Sequence, residues 1–179
     1  MLRSIDGPKM EVLVRVLGID PGVAVMGYGV VERADSKLRL VTFGVVRTPA
    51  DETQARRLMT LRARLAEIMR EHAADVVALE RLFFTTNVKT AMAVGQASGV
   101  ALATAAEAGL EVADYTPNEV KQSVVGYGGA TKSQVQAMIA ALLGLDDPPR
   151  PPDAADACAL AICHLNRSGL RAAIGRATG

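Results

Sequence analysis

Apolar and polar positions change period several times along the chain, and each change marks a structural element. Val16-Leu17-Gly18-Ile19-Asp20 is a short apolar strand stopped by the turn pair Pro21-Gly22. Gly27 to Glu32 and Leu38 to Arg47 read as two further strands joined through Asp35-Ser36, and connections this short predict an antiparallel meander. The period then becomes helical. Leu58, Leu61, Leu65, Ile68 and Met69 share one face as far as His72, and Asp51 with Gln54 has the spacing of a capping box. Val76-Val77-Ala78-Leu79 is apolar without alternation, which predicts a central strand buried on both faces and closed by Glu80. An Ala-rich helix from Asn87 to Ala108 carries Gly95 and Gly99 on a small-residue face, and Glu111 to Tyr115 is another strand. Thr116-Pro117-Asn118-Glu119 opens a short helix to Val125, and Thr131 with Gln134 opens another to Leu143. Between them, Gly126-Tyr127-Gly128-Gly129 predicts a mobile loop. After a proline-rich connector, Asp153 to Asn166 forms the last helix.

Three strands, then helix, strand, helix, strand and helices, predict an α/β fold: a mixed five-stranded sheet, the meander plus parallel strands, with helices on both faces. One domain is expected over residues 15–167, between an irregular N-terminal extension (1–14) and a disordered tail (168–179). The 179 residues, half of them apolar, suffice for one well-packed core. Neither a membrane-length apolar run nor a signal-peptide pattern is present, so a cytoplasmic protein without a membrane partner is expected. Cys158 and Cys163 fit neither a CxxC pair nor a zinc spacing, in keeping with a reducing compartment.

The balance of 20 basic and 19 acidic residues gives no global attraction to a polyanion, so nucleic acid would have to meet a local basic patch. Aromatics make up only 3% of the chain, which argues against a platform stacking many unpaired bases and makes the adjacent Phe83 and Phe84 notable. Each carboxylate has an ordinary explanation. Asp20 before Pro-Gly is also a turn former, Glu80 also a solvated strand end, and Asp153 and Asp156 also first-turn acids favoured by the helix dipole. Together they form a different pattern. The helix carrying Asp153 and Asp156 is otherwise apolar, so it packs inside the fold with its acids at one rim. If all four acids converge, pairs at 4 Å repel by roughly 4 kcal/mol at an effective dielectric of 20, and such a site takes up protons or cations. Oxygen-only ligands suit Mg²⁺ or Mn²⁺, and two such ions can activate water and stabilise a leaving oxygen in phosphodiester cleavage. His72 and His164 read as helix-end or packing residues.

These residues resemble the RuvC family of Holliday-junction resolvases, within the ribonuclease-H-like fold. The resemblance runs from Arg15 to Asn166 and rests on motifs in order: Gly18-Ile19-Asp20-Pro21-Gly22, Ala78-Leu79-Glu80-Arg81-Leu82-Phe83-Phe84 with Asn87, Gly95-Gln96-Ala97-Ser98-Gly99, Thr116-Pro117 with Val120-Lys121, and Asp153-Ala154-Ala155-Asp156-Ala157. It implies that Asp20, Glu80, Asp153 and Asp156 are catalytic acids holding two Mg²⁺ or Mn²⁺ ions. It further implies a homodimeric endonuclease that nicks opposed strands of a four-way DNA junction in recombination and repair, partnered by the RuvA–RuvB branch-migration complex. Phe83 matches the family's aromatic beside the catalytic acid, and which of Phe83 and Phe84 projects is open, since neighbouring extended residues point oppositely. Lys121 and Lys132 match basic positions near the scissile phosphate, and Arg81 and Lys89 are further candidate phosphate contacts. Three other functions compete: a YqgF-like nuclease acting on RNA, a catalytically silent junction-binding protein, and an actin- or sugar-kinase-like phosphotransferase. The chain is too short for the two domains of the last.

Overall fold

The computed structural model describes residues 13–34, 37–81 and 88–177, the side chains of Lys89 and of 170–177 excepted. Five strands form one sheet: β1 (Val14–Asp20), β2 (Val25–Ala34), β3 (Lys37–Arg47), β4 (Val76–Glu80) and β5 (Glu111–Tyr115). Among the described residues, five helices accompany them: α1 (Gln54–Glu71), α2 (Val88–Glu107), α3 (Pro117–Val125), α4 (Lys132–Leu143) and α5 (Pro152–Ala177). The strand order is β3-β2-β1-β4-β5, with β1–β2 and β2–β3 antiparallel and β1–β4 and β4–β5 parallel. The mixed sheet expected from the element order is present. β1 takes its centre and β4 lies next to it.

Strand pleating sorts the core into two layers, because successive side chains point to opposite faces. Leu17 and Ile19 of β1, with Val77 and Leu79 of β4, pack under α1 and α2 together with Leu61, Leu65, Ala97 and Ala101. Val16 and Ala78 point the other way, into a core built from α3, α4 and the apolar face of α5. Asp20 shares the parity of Val16 and Gly18, and Glu80 that of Ala78. Both acids therefore leave their strand ends on the α5 side.

Glycines let α5 lie unusually close to that face. A Cβ on Gly18 would come within 1.9 Å of the Ala157 carbonyl oxygen, one on Gly27 within 2.1 Å of the Asp153 carbonyl oxygen, and one on Gly29 within 2.4 Å of Cys158 Sγ. The absence of three side chains forms the seat of the helix, and the seat sets how near its first turn comes to Asp20.

Several expectations need correction. β1 begins at Val14, inside the segment read as an extension, whose first twelve residues lie outside the described ones. The cap of α1 is Thr53, whose hydroxyl accepts from the Arg56 amide; Asp51 stands ahead of it, and Arg56 at the third position cannot return the bond as Gln54 was expected to. α5 runs to Ala177 instead of ending at Asn166 before a disordered tail. Asn166 reaches the Ser123 carbonyl at 3.1 Å and Arg167 pairs with Glu119 at 3.1 Å, so the helix is tied to α3, and Gly169 costs only about 1 kcal/mol in its interior. The glycine-rich segment before α4 is pinned: Tyr127 donates to Gln134 Oε1 at 2.9 Å, and a Cβ on Gly128 would collide with Asn118. Among the described residues, no helix is long and apolar enough to cross a membrane.

Candidate active site

A cleft of about 280 Å³ opens at the C-terminal ends of β1 and β4, with Asp20, Glu80 and Asp156 in its wall beside Lys121 and Lys132. The topology dictates its place. β1 and β4 are parallel neighbours paired through Gly18–Ala78 and Ile19–Leu79, so Asp20 and Glu80 emerge side by side one residue later. β2 leaves antiparallel opposite Asp20 through Gly27, where α5 begins above the sheet. Asp156 reaches the cleft from the first turns of α5. Asp153, half-buried one turn earlier, does not line the cleft but lies close enough for its charge to act on Asp20.

Electrostatics register this convergence. Burial, followed by the charges of Asp156, Glu80 and Asp153, pushes the Asp20 carboxyl from 3.8 to about 7, against a smaller opposing pull from Lys132. Glu80 is raised first by burial and then by Asp156. Burial first and the neighbouring carboxylates second thus disfavour full ionisation of these acids, an arrangement that favours uptake of a proton or a cation. Its donors are all carboxylate oxygens, the set that hard divalent cations prefer. Their chemistry fits such an ion. Among the described residues, however, no three Asp, Glu, His or Cys side chains are drawn together to hold a metal. The four acids share a rim without closing a cage.

Lys132, the first residue of α4, instead sets its ammonium 2.7 Å from Asp156 Oδ2. The bond raises the lysine above its ordinary range. Lys132 and Lys121, both expected near the phosphate, thus flank the acids. Arg81 is exposed just beyond Glu80, its amide donating to the Tyr115 carbonyl at 2.7 Å. Phe83 and Phe84 lie outside the described residues, as does the side chain of Lys89 near the start of α2. The apolar wall of Pro117, Val120 and Leu160 was not anticipated as part of the site. Neither was the Lys132–Asp156 pair, whose members stand 24 residues apart and meet only because α4 packs beside α5.

A family model described as "Crossover junction endodeoxyribonuclease RuvC" matches residues 16–164, almost the whole span of sheet and cleft. The chain belongs to the RuvC family. A RuvC from Moorella thermoacetica is 53% identical over 151 residues, covering 84% of this chain and 90% of that protein. The solved structure of Thermus thermophilus RuvC superposes with a TM-score of 0.81 at 38% identity, covering 88% of this chain and 96% of the other. The same Thermus protein in complex with a Holliday junction substrate gives a TM-score of 0.80 at 37% identity over the same shares. The ribonuclease-H-like α/β architecture expected from the motifs is therefore that of RuvC.

Proposed function

We infer that this chain is a structure-selective DNA endonuclease that resolves four-way junctions by paired phosphodiester cleavage, with Asp20, Glu80, Asp153 and Asp156 as its catalytic acids. The observation that carries the assignment of these residues is their convergence: Asp20 of β1, Glu80 of β4 and Asp156 of α5, remote in the chain, line one cleft, and Asp153 lies near enough for its charge to act on Asp20. They would hold divalent cations, Mg²⁺ or Mn²⁺, two to a site. Such ions supply Lewis acidity, an activated water and charge stabilisation at the leaving oxygen.

The rest of the task falls to the chain itself. Asp20 and Glu80, fixed by strand ends, give the site a rigid floor, while Asp156 on α5 closes its side. Lys121 and Lys132 bring positive charge to a cleft whose net field would otherwise repel a phosphate. Arg81 extends that charge along the segment leading to Phe83 and Phe84, for which we retain a role at the junction centre, and Lys89 would continue it.

We further propose that the active species is a homodimer, because cutting opposed strands of a pseudo-symmetric junction needs two sites. Support comes from the outer face of α2, where Val88, Met92 and Leu102 are exposed large apolar side chains and Gly99 has open space above it. Its other face, Ala97, Ala101 and Ala105, packs against the sheet. Action in the cytoplasm alongside the RuvA–RuvB complex rests on family membership alone.

The test is cleavage of synthetic four-way junctions and matched duplex with and without Mg²⁺ or Mn²⁺. Symmetric nicking confined to the junction is expected. Asp20→Asn and Asp153→Asn should each abolish it while junction binding survives. Cleavage retained in either variant would defeat the assignment of the acids, and cleavage of RNA with indifference to junctions would favour the YqgF-like alternative.

A further inference from the structure

Within the cleft, Lys132 already neutralises a carboxylate that a cation would use, that of Asp156. Oδ2 of Asp156 accepts from the Lys132 ammonium at 2.7 Å, so a divalent cation brought to the same carboxylate meets the repulsion of that positive charge. The lysine is built to let go. Its side chain is 60% exposed and springs from the first residue of α4, so it can swing into solvent. The acids facing it come from three elements: Asp20 on β1, Glu80 on β4, and Asp153 with Asp156 on α5. Lys121 also lines the cleft, but Lys132 is the cation bonded to one of these acids among the described residues, and it stands where added positive charge is most favourable.

We propose that Lys132 is the resident counter-ion of the metal-free site: its ammonium holds Asp156 until a divalent cation displaces it, and the released ammonium then meets the substrate phosphate. The proposal rests on the reading of the four acids as metal ligands and adds an exchange of partners to it. The exchange has a thermodynamic consequence. A phosphate that draws Lys132 away frees Asp156 for the metal, and a metal that takes Asp156 frees Lys132 for the phosphate. By reciprocity each raises the affinity of the other. Metal loading is then coupled to the arrival of DNA through a single side chain, and the DNA-free enzyme holds its metal weakly.

The experiment measures Mn²⁺ binding to the full chain without DNA, from the electron paramagnetic resonance signal of free Mn²⁺, for wild type, Lys132→Met, Asp156→Asn and the double variant. Lys132→Met should bind Mn²⁺ about tenfold more tightly than wild type, within the ordinary range of coupling between sites. In the Asp156→Asn background the same substitution should bring little or no gain. Unchanged or weaker binding by Lys132→Met overturns the proposal, as does an equal gain without Asp156, which would make the lysine a diffuse field and not the partner of one carboxylate. Failure of every form, wild type included, to bind Mn²⁺ would remove the metal reading as well. Binding by wild type with no gain in Lys132→Met removes only the exchange.

Discussion

Arg15 on β1 donates from Nε to Oε2 of Glu32 on β2 at 2.8 Å, across a register in which the two residues are direct partners. Glu32 is fully buried, and on its other side Arg39 of β3, its partner in the next ladder, donates from Nε to Oε1 at 2.6 Å. Three charged residues thus cross three strands in one row at the end of the sheet remote from the cleft. Removing one partner of a buried pair typically costs about 3 to 5 kcal/mol. Here the arginine side chains are 30% and 70% exposed and can rehydrate, so Glu32→Gln should cost less, about 2 kcal/mol. The two arginines hold the Glu32 carboxyl below its ordinary range. For a carboxyl depressed in the folded state, the stabilisation is present above the unfolded value and is lost as pH falls through the folded one. Urea unfolding of wild type should therefore show an acid-side loss that Glu32→Gln lacks; superimposable pH profiles would refute the role.

Asp20 has the opposite sign. Its folded-state carboxyl is raised from 3.8 to about 7, so in metal-free protein its favourable contribution is complete below the unfolded value and is lost as pH rises through about 7. In the presence of a chelator, Asp20→Asn should be more stable than wild type above neutrality. With about 1.4 kcal/mol per pKa unit and screening at the rim, the gain should be roughly 1 to 3 kcal/mol. It should shrink as the buffer is taken from neutrality toward the unfolded value of 3.8 and vanish below it, where both states of wild type carry the proton. Thermal midpoints of the two proteins across that range test this. A gain independent of pH would mean that packing, not charge, explains it.

Gly27 lies against the first turn of α5, where a Cβ would stand 2.1 Å from the Asp153 carbonyl oxygen and 3.1 Å from the Ala154 amide nitrogen. Backbone on both sides leaves no flexible group to yield. Gly27→Ala should therefore lift the start of α5, costing about 1 to 3 kcal/mol as overpacking does and displacing Asp153 and Asp156 from Asp20. A shift of about 1 Å at a reacting centre can lose on the order of a hundredfold in rate. Junction cleavage should fall by that order while the variant, still folded by circular dichroism, binds the junction. A variant with normal turnover would show that α5 tolerates the shift.

How much of this could be read beforehand depended on whether the cause was local. The five strands and both complete capping boxes, Thr116 with Glu119 and Thr131 with Gln134, follow from neighbours in sequence. Asp20 and Glu80 were legible only as acids at strand ends; that they stand side by side follows from the parallel pairing of β1 with β4, which the sequence does not specify. The Glu32 network was not legible, because an acid in an apolar strand announces its partners only once the register is known. Nor was the Lys132–Asp156 bond, which depends on the packing of two helices. The tail was misread because its Gly- and Arg-rich composition says nothing of the ties that Asn166 and Arg167 make to α3.

Gln134 lies outside the cleft yet governs the residue that enters it. Its Oε1 accepts from the Thr131 amide at 2.9 Å and from the Tyr127 hydroxyl at 2.9 Å, while the Thr131 hydroxyl accepts from the Gln134 amide at 3.3 Å. One side chain therefore closes the capping box of α4 and anchors the glycine-rich segment before it, immediately beside Lys132. Gln134→Ala should cost about 1 kcal/mol, the usual value of a cap, and leave the start of α4 frayed. With Lys132 less well placed, cleavage should slow several-fold, although Gln134 touches neither acid nor substrate. Gln134→Glu keeps both acceptor bonds and adds a charge favourable to a helix N-terminus, so it should restore stability and rate together. Thermal unfolding and single-turnover cleavage of the three proteins decide the matter. A slow Gln134→Ala that Gln134→Glu fails to rescue would mean that the box does not position Lys132.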